Sequence, residues 1–116
     1  MSDKTFELTL LFDFFCDLLT EKQREYFDLY YNDDLSLSEI AEINGVSRQG
    51  VRDSLLRAEH TLNELEEKTG VVRRFREMQD ALKALENDAA LLADRCDGSA
   101  KELAERILLR LRNLKG

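Results

Sequence analysis

Apolar residues along this chain recur at steps of three and four, a rhythm that predicts a succession of amphipathic helices. Phe6, Leu10, Leu11, Phe14, Phe15, Leu18 and Leu19 mark the first, with Asp13 and Asp17 on another face. That face is unusually aromatic and is expected either to be buried core or to meet a partner. Thr20 opens a second helix, forming with Gln23 a capping box in which hydroxyl and amide each satisfy a backbone donor. Tyr26, Phe27, Tyr30 and Tyr31 are expected on its inward side, and Asn32-Asp33-Asp34 ends it. Ser36 and Glu39 repeat the capping box before a short third helix through Ile43. Asn44-Gly45 is a turn, with Gly45 suited to positive φ. Ser47 is the expected N-cap of a fourth helix.

The fourth helix is long. Val51, Leu55, Ala58, Leu62 and Leu65 form a heptad seam that stops near Thr69-Gly70. A fifth helix repeats the seam with Phe75, Met78, Leu82, Leu85, Ala89, Leu92 and Cys96, and Asp97-Gly98 breaks it. Ser99 with Glu102 is a further candidate capping box, opening a last helix lined by Leu103, Ile107, Leu111 and Leu114. These heptads are too short for a fibrous coiled coil. They predict antiparallel packing inside a bundle or across a dimer. Six helices fit a chain of 116 residues with no proline and five glycines, and an all-β sandwich or barrel is excluded.

Charge modifies this picture. The formal net charge is −7, but residues 1–35 hold 3 basic and 9 acidic side chains, whereas the last 11 residues carry +4 and no acid. An acidic total argues against indiscriminate polyanion binding, so any nucleic-acid contact must come from a local basic patch. The most apolar stretch, Leu8 to Leu19, is broken by Asp13 and Asp17 and is too short to span a bilayer. The acidic first residues do not resemble a secretory leader, so a cytoplasmic protein is expected. Cys16 and Cys96, 80 residues apart, fit neither a zinc site nor a disulfide framework. With one histidine, His60, and no phosphate-binding glycine loop or nucleophile elbow, the chain reads as a non-enzyme without cofactor or metal.

The informative stretch is Leu35 to Arg57, LSLSEIAEINGVSRQGVRDSLLR. A helix-turn-helix needs a small residue where its helices meet, a glycine at the turn and an apolar anchor beneath the second helix. Ala41, Gly45 and Val51 supply these, flanked by Ile40 and Val46. The second helix then presents Ser47, Arg48, Gln49 and Arg52 outward, toward a groove. Solvated arginines on an inherited scaffold are the plainer alternative. Arg73, Arg74 and Arg76 form a second basic cluster, readable as charged surface or as a nucleic-acid or partner contact.

Residues 19–57, from LTEKQREYFDLYYNDDLSLSEIAEINGVSRQGVR onward, resemble region 4 of bacterial sigma factors, whose pattern begins with LT and ends SRxxVR. The first 80 residues, including the EEKTG that follows, resemble more closely the YlxM-like family, small helix-turn-helix proteins of Gram-positive bacteria and relatives. That resemblance implies a role tied to the signal recognition particle pathway. Arg48 and Arg52 match the two arginines of the sigma recognition helix, and Gln49 stands where that family places a base-reading residue, which can pair with adenine. Gly50 departs from the pattern and weakens the helix by about 1 kcal/mol relative to Ala. Asp53 departs too: a carboxylate is repelled by phosphates, although it can pair with Arg57 one turn later.

The resulting expectation is an all-α, sigma region 4-like helix-turn-helix bundle. Residues 1–70 are its helix-turn-helix domain, with a recognition helix at about 47–68. Residues 71–116 are a helical hairpin extension for self-association, giving a homodimer. The expected nucleic-acid-binding set is Ser47, Arg48, Gln49, Arg52 and Arg57, facing DNA or the RNA of the signal recognition particle. The alternative is a protein-interaction adaptor, for example of the particle's GTPase, with a vestigial helix-turn-helix.

Overall fold

In the computed structural model, residues 3–114 are described. They fold into six α-helices with no strand among them: α1 Asp3–Phe15, α2 Glu21–Phe27, α3 Leu37–Asn44, α4 Arg48–Thr69, α5 Val71–Arg95 and α6 Gly98–Leu114. The chain divides into two compact units, Met1–Val72 and Arg73–Gly116.

In the first unit, α1, α2 and α3 pack on α4. The boundaries follow from local chemistry. Thr20 accepts from the Gln23 backbone N–H at 3.1 Å while the Gln23 side chain accepts from the Thr20 N–H at 3.0 Å. Ser36 and Glu39 make the same pair of bonds, both at 3.1 Å. At the far end of α4, Gly70 takes φ 62° and its N–H bonds the Glu66 carbonyl at 2.8 Å, which turns the chain directly into α5. That left-handed conformation is open to glycine at little cost.

The core corrects the expected face of α1. Leu8, Leu11, Phe12, Phe15 and Leu19 are buried, whereas Phe6, Phe14 and Leu18 are exposed and Leu10 is half-buried. Apolar residues lie on more than one side of this helix, so its periodicity does not select the buried side. Partner rings do: Phe12 stacks on the fully buried Phe27 with centroids 4.4 Å apart and planes 9° from parallel. Phe27 in turn meets Tyr31 at 4.4 Å.

α2 also ends differently from its pattern. After Phe27 the chain widens into a π-turn, Asp28–Asn32, closed by the Asp33 N–H bonding the Asp28 carbonyl at 3.2 Å. Tyr26 is buried and Tyr31 half-buried as expected, but Tyr30 is exposed. Tyr31 donates its phenol to Glu59 of α4. Burial, reinforced by this bond and by the Glu59 charge, holds the Tyr31 phenol well above the ordinary tyrosine range.

In the second unit, α5 and α6 form a hairpin joined by Cys96 and Asp97. Ala89, Ala93 and Ala104 are its buried contacts, with Leu82, Cys96, Leu108 and Leu111 half-buried. Arg112 Nε reaches Glu86 at 3.4 Å, pairing the basic end of α6 with α5 and fixing the antiparallel register. The heptad seam is not consumed inside this hairpin: Met78, Leu85 and Leu92 are exposed on α5, and Leu103, Ile107 and Leu114 on α6. Nor does Ser99 open α6, which begins one residue earlier at Gly98, φ 64°. Lys115, part of the basic terminal run, lies outside the described residues.

Candidate nucleic-acid interface

The helix-turn-helix is built from the small side chain of Ala41, the turn at Gly45 and the anchor Val51. Ile40, Ala41 and Val51 are all buried where α3 meets α4. Gly45 adopts φ 64°, and the Val46 N–H bonds back to the Ala41 carbonyl at 3.0 Å, closing the C-terminus of α3. Asn44 adds a bond from its side-chain amide to the Ile40 carbonyl, 2.9 Å. The turn is therefore fixed by backbone bonds at one end and apolar anchors beneath it.

Ser47 caps α4, its hydroxyl accepting from the Gly50 N–H at 3.0 Å. A Cβ at residue 50 would stand 3.1 Å from the Ser47 oxygen, a tight contact that the cap would have to relieve by a shift of a few tenths of an ångström. Ser47 is thus first a capping residue, with its hydroxyl proton and one remaining lone pair left to offer outward.

Arg48, Gln49, Arg52 and Arg57 are all exposed. Helical rotation, about 100° per residue, arranges them. Gln49, Asp53, Leu56 and His60 form the outermost ridge, opposite the buried Val51, Leu55, Ala58 and Leu62. Arg52 lies on one flank of the ridge and Arg57 on the other, with Arg48 in the first turn. The first turn contains no acid, so its orphan N–H groups and the two arginines present one electropositive end.

Two features of this ridge were not drawn from the sequence. Gln49 donates its side-chain amide to the Asp53 carboxylate at 2.9 Å. The spacing i,i+4 is the signal that reveals this pair. Asp53 is therefore held by Gln49 one turn back, not by Arg57 one turn ahead. Leu56, 50 % exposed, occupies the next ridge position, outside the inward heptad seam of α4. Further along α4, His60 is exposed and Glu64 pairs with Lys68 at 2.8 Å, which holds the Glu64 carboxyl below its usual value.

Residues 2–105 match the family described as "Putative helix-turn-helix protein, YlxM / p13 like". The chain belongs to this family, UPF0122. Its helix-turn-helix and its all-α fold agree with that membership. Among relatives, a UPF0122 protein of Thermoanaerobacter sp. (strain X514) is 45% identical over 95 residues, covering 82% of this chain and 81% of its own. One from Halalkalibacterium halodurans is 51% identical over 85 residues, 73% of this chain and 78% of its own. One from Shouchella clausii is 43% identical over 107 residues, 92% of this chain and 96% of its own. No helix among the described residues is long and apolar enough to cross a membrane.

Proposed function

We propose that this protein is a non-enzymatic nucleic-acid-binding regulator that uses the N-terminal turns of α4. The observation that carries the reading is the exposed, acid-free first turn of α4, bearing Arg48 and Gln49 with Arg52 one turn on, held by an anchored helix-turn-helix. Arg52 and Arg57, on opposite flanks, face the two walls of a groove while the Gln49 ridge enters it. DNA and the RNA of the signal recognition particle are the ligands to compare, the second because YlxM-like resemblance ties the chain to that pathway. RNA would be held through phosphates and shape, since its major groove is too deep and narrow for side-chain reading. The hairpin of α5 and α6 serves self-association in a homodimer, which would present two α4 helices at once. The setting is cytoplasmic.

Leu56 favours a second reading, an adaptor that docks on a protein such as the particle's GTPase. An exposed leucine beside the Asp53 carboxylate that Gln49 holds on the ridge suits a protein surface better than a phosphate wall.

The test is titration against signal recognition particle RNA and random duplex DNA at two salt concentrations. Wild type runs beside the Arg48→Ala/Arg52→Ala double variant. Affinity falling steeply with salt, with a slope reduced by about 1 for each arginine removed, supports nucleic-acid binding. Absence of salt-dependent binding to either ligand refutes it and moves the search to the GTPase.

A further inference from the structure

The hairpin carries an apolar face that its own two helices leave open. On α5, Met78, Leu85 and Leu92 lie one heptad apart, rotated about 60° from the buried Ala89–Ala93 line at 100° per residue. On α6, Leu103, Ile107 and Leu114 are rotated about 90° from the Ala104, Leu108 and Leu111 line. Both displacements run in the same sense about their own axes. Because the helices are antiparallel, both rows come to the same side of the hairpin. The six side chains are 39–67 % exposed. Together they present roughly 600 Å2 of apolar surface, approaching the ~800 Å2 per partner of a stable interface and at the upper end of the ~300–600 Å2 of the largest patch on an ordinary monomer.

Charge along α5 identifies the occupant. Residues 73–83 carry four basic and two acidic side chains, net +2; residues 84–97 carry one basic and four acidic, net −3. A helix basic in one half and acidic in the other is complementary to its own antiparallel copy. The apolar row agrees, since Met78 and Leu92 are equidistant in sequence from Leu85. We infer that this face is the interface with a second copy of the chain, with α5 crossing its partner's α5 antiparallel about a two-fold axis at Leu85. Met78 then lies opposite Leu92 of the partner subunit, basic half faces acidic half, and the α6 rows close the sides of a four-helix bundle. This deepens the self-association proposed above and does not depend on what α4 binds.

The experiment uses the full chain in sedimentation at micromolar concentration. The wild type is expected at about twice 13.4 kDa. Leu85→Glu, at an exposed position that folding of one copy does not need buried, is expected at 13.4 kDa with its helical circular dichroism retained. Ile107→Glu provides the same reading from α6. Register and orientation are tested in a Cys16→Ser/Cys96→Ser background. Leu85→Cys should oxidise readily to a covalent dimer, whereas Asn87→Cys, off the face, should not. Neither should Met78→Cys, which lies about 21 Å along the axis from its own copy when the helices are antiparallel and beside it when they are parallel. A Met78→Cys dimer overturns the antiparallel orientation. A wild type that sediments as a 13.4 kDa species overturns the inference, as does a dimer that survives both glutamate variants. A dimer in which residue 85 fails to cross-link overturns the antiparallel register. The Arg48→Ala/Arg52→Ala variant keeps the dimer mass whatever it does to nucleic-acid binding, so failures of the two proposals are distinguishable.

Discussion

Replacing Gly50 by alanine tests whether the cap of α4 dictates that glycine. In an unconstrained helix position the change stabilises by about 1 kcal/mol, because alanine loses less backbone entropy on folding. Here the new Cβ would sit 3.1 Å from the Ser47 oxygen that accepts the residue-50 N–H. Relief requires the hydroxyl to move by a few tenths of an ångström, weakening a cap worth about 1 kcal/mol. The net gain in the wild-type background should therefore be under about 0.5 kcal/mol. Ser47→Ala alone should cost about 1 kcal/mol. In that background the obstructing oxygen is gone, and Gly50→Ala should return its full ~1 kcal/mol. The cycle thus carries a coupling of about 0.5 kcal/mol. Urea unfolding followed by tyrosine fluorescence is the assay, since all three tyrosines lie in residues 26–31 and report the first unit alone. Equal stabilisation in both backgrounds would refute the steric argument.

Three further outcomes follow from the geometry. Phe27→Ala, which removes a fully buried ring stacked on Phe12, should cost about 3–5 kcal/mol in the same urea assay; a loss below 1 kcal/mol would contradict the core described here. Tyr31→Phe should destabilise by about 1 kcal/mol at neutral pH by removing the bond to Glu59. Because folding raises the Tyr31 phenol above its unfolded value of about 10, its contribution is intact below that pH and is lost as pH rises beyond it. The stability gap between wild type and Tyr31→Phe should accordingly narrow on going from pH 9 to pH 12, and a constant gap would remove the phenol from the explanation. Asp53→Asn keeps an acceptor for Gln49 but deletes a charge from the α4 ridge, and should raise nucleic-acid affinity several-fold at low salt. Weakened binding in that variant would instead make the carboxylate a contact, accepting from a cytosine amino group.

The sequence by itself determined most of what depends on a few consecutive residues. The capping boxes at Thr20 and Ser36, the Ser47 cap, the left-handed Gly45, the stop at Gly70 and the inward row Val51, Leu55, Ala58 and Leu62 are local, and each was legible from spacing alone; the Ser99–Glu102 pair has the same spacing, yet α6 opens at Gly98 instead. The helix-turn-helix was legible for the same reason, its small residue, turn and anchor lying within 11 positions of one another. Tertiary structure decided what depends on a distant partner. Which side of α1 is buried was set by Phe27, because the apolar residues of α1 admit more than one inward face. The π-turn after Phe27 accompanies a Tyr31 that bonds Glu59, 28 residues away, and no local pattern encodes that reach. The seam of α5 read as continuous, yet the hairpin meets chiefly at alanines and leaves the large side chains of Met78, Leu85 and Leu92 outside. Periodicity reports how far apolar residues can align along one helix. How much of that alignment is covered depends on where the neighbouring helix lies.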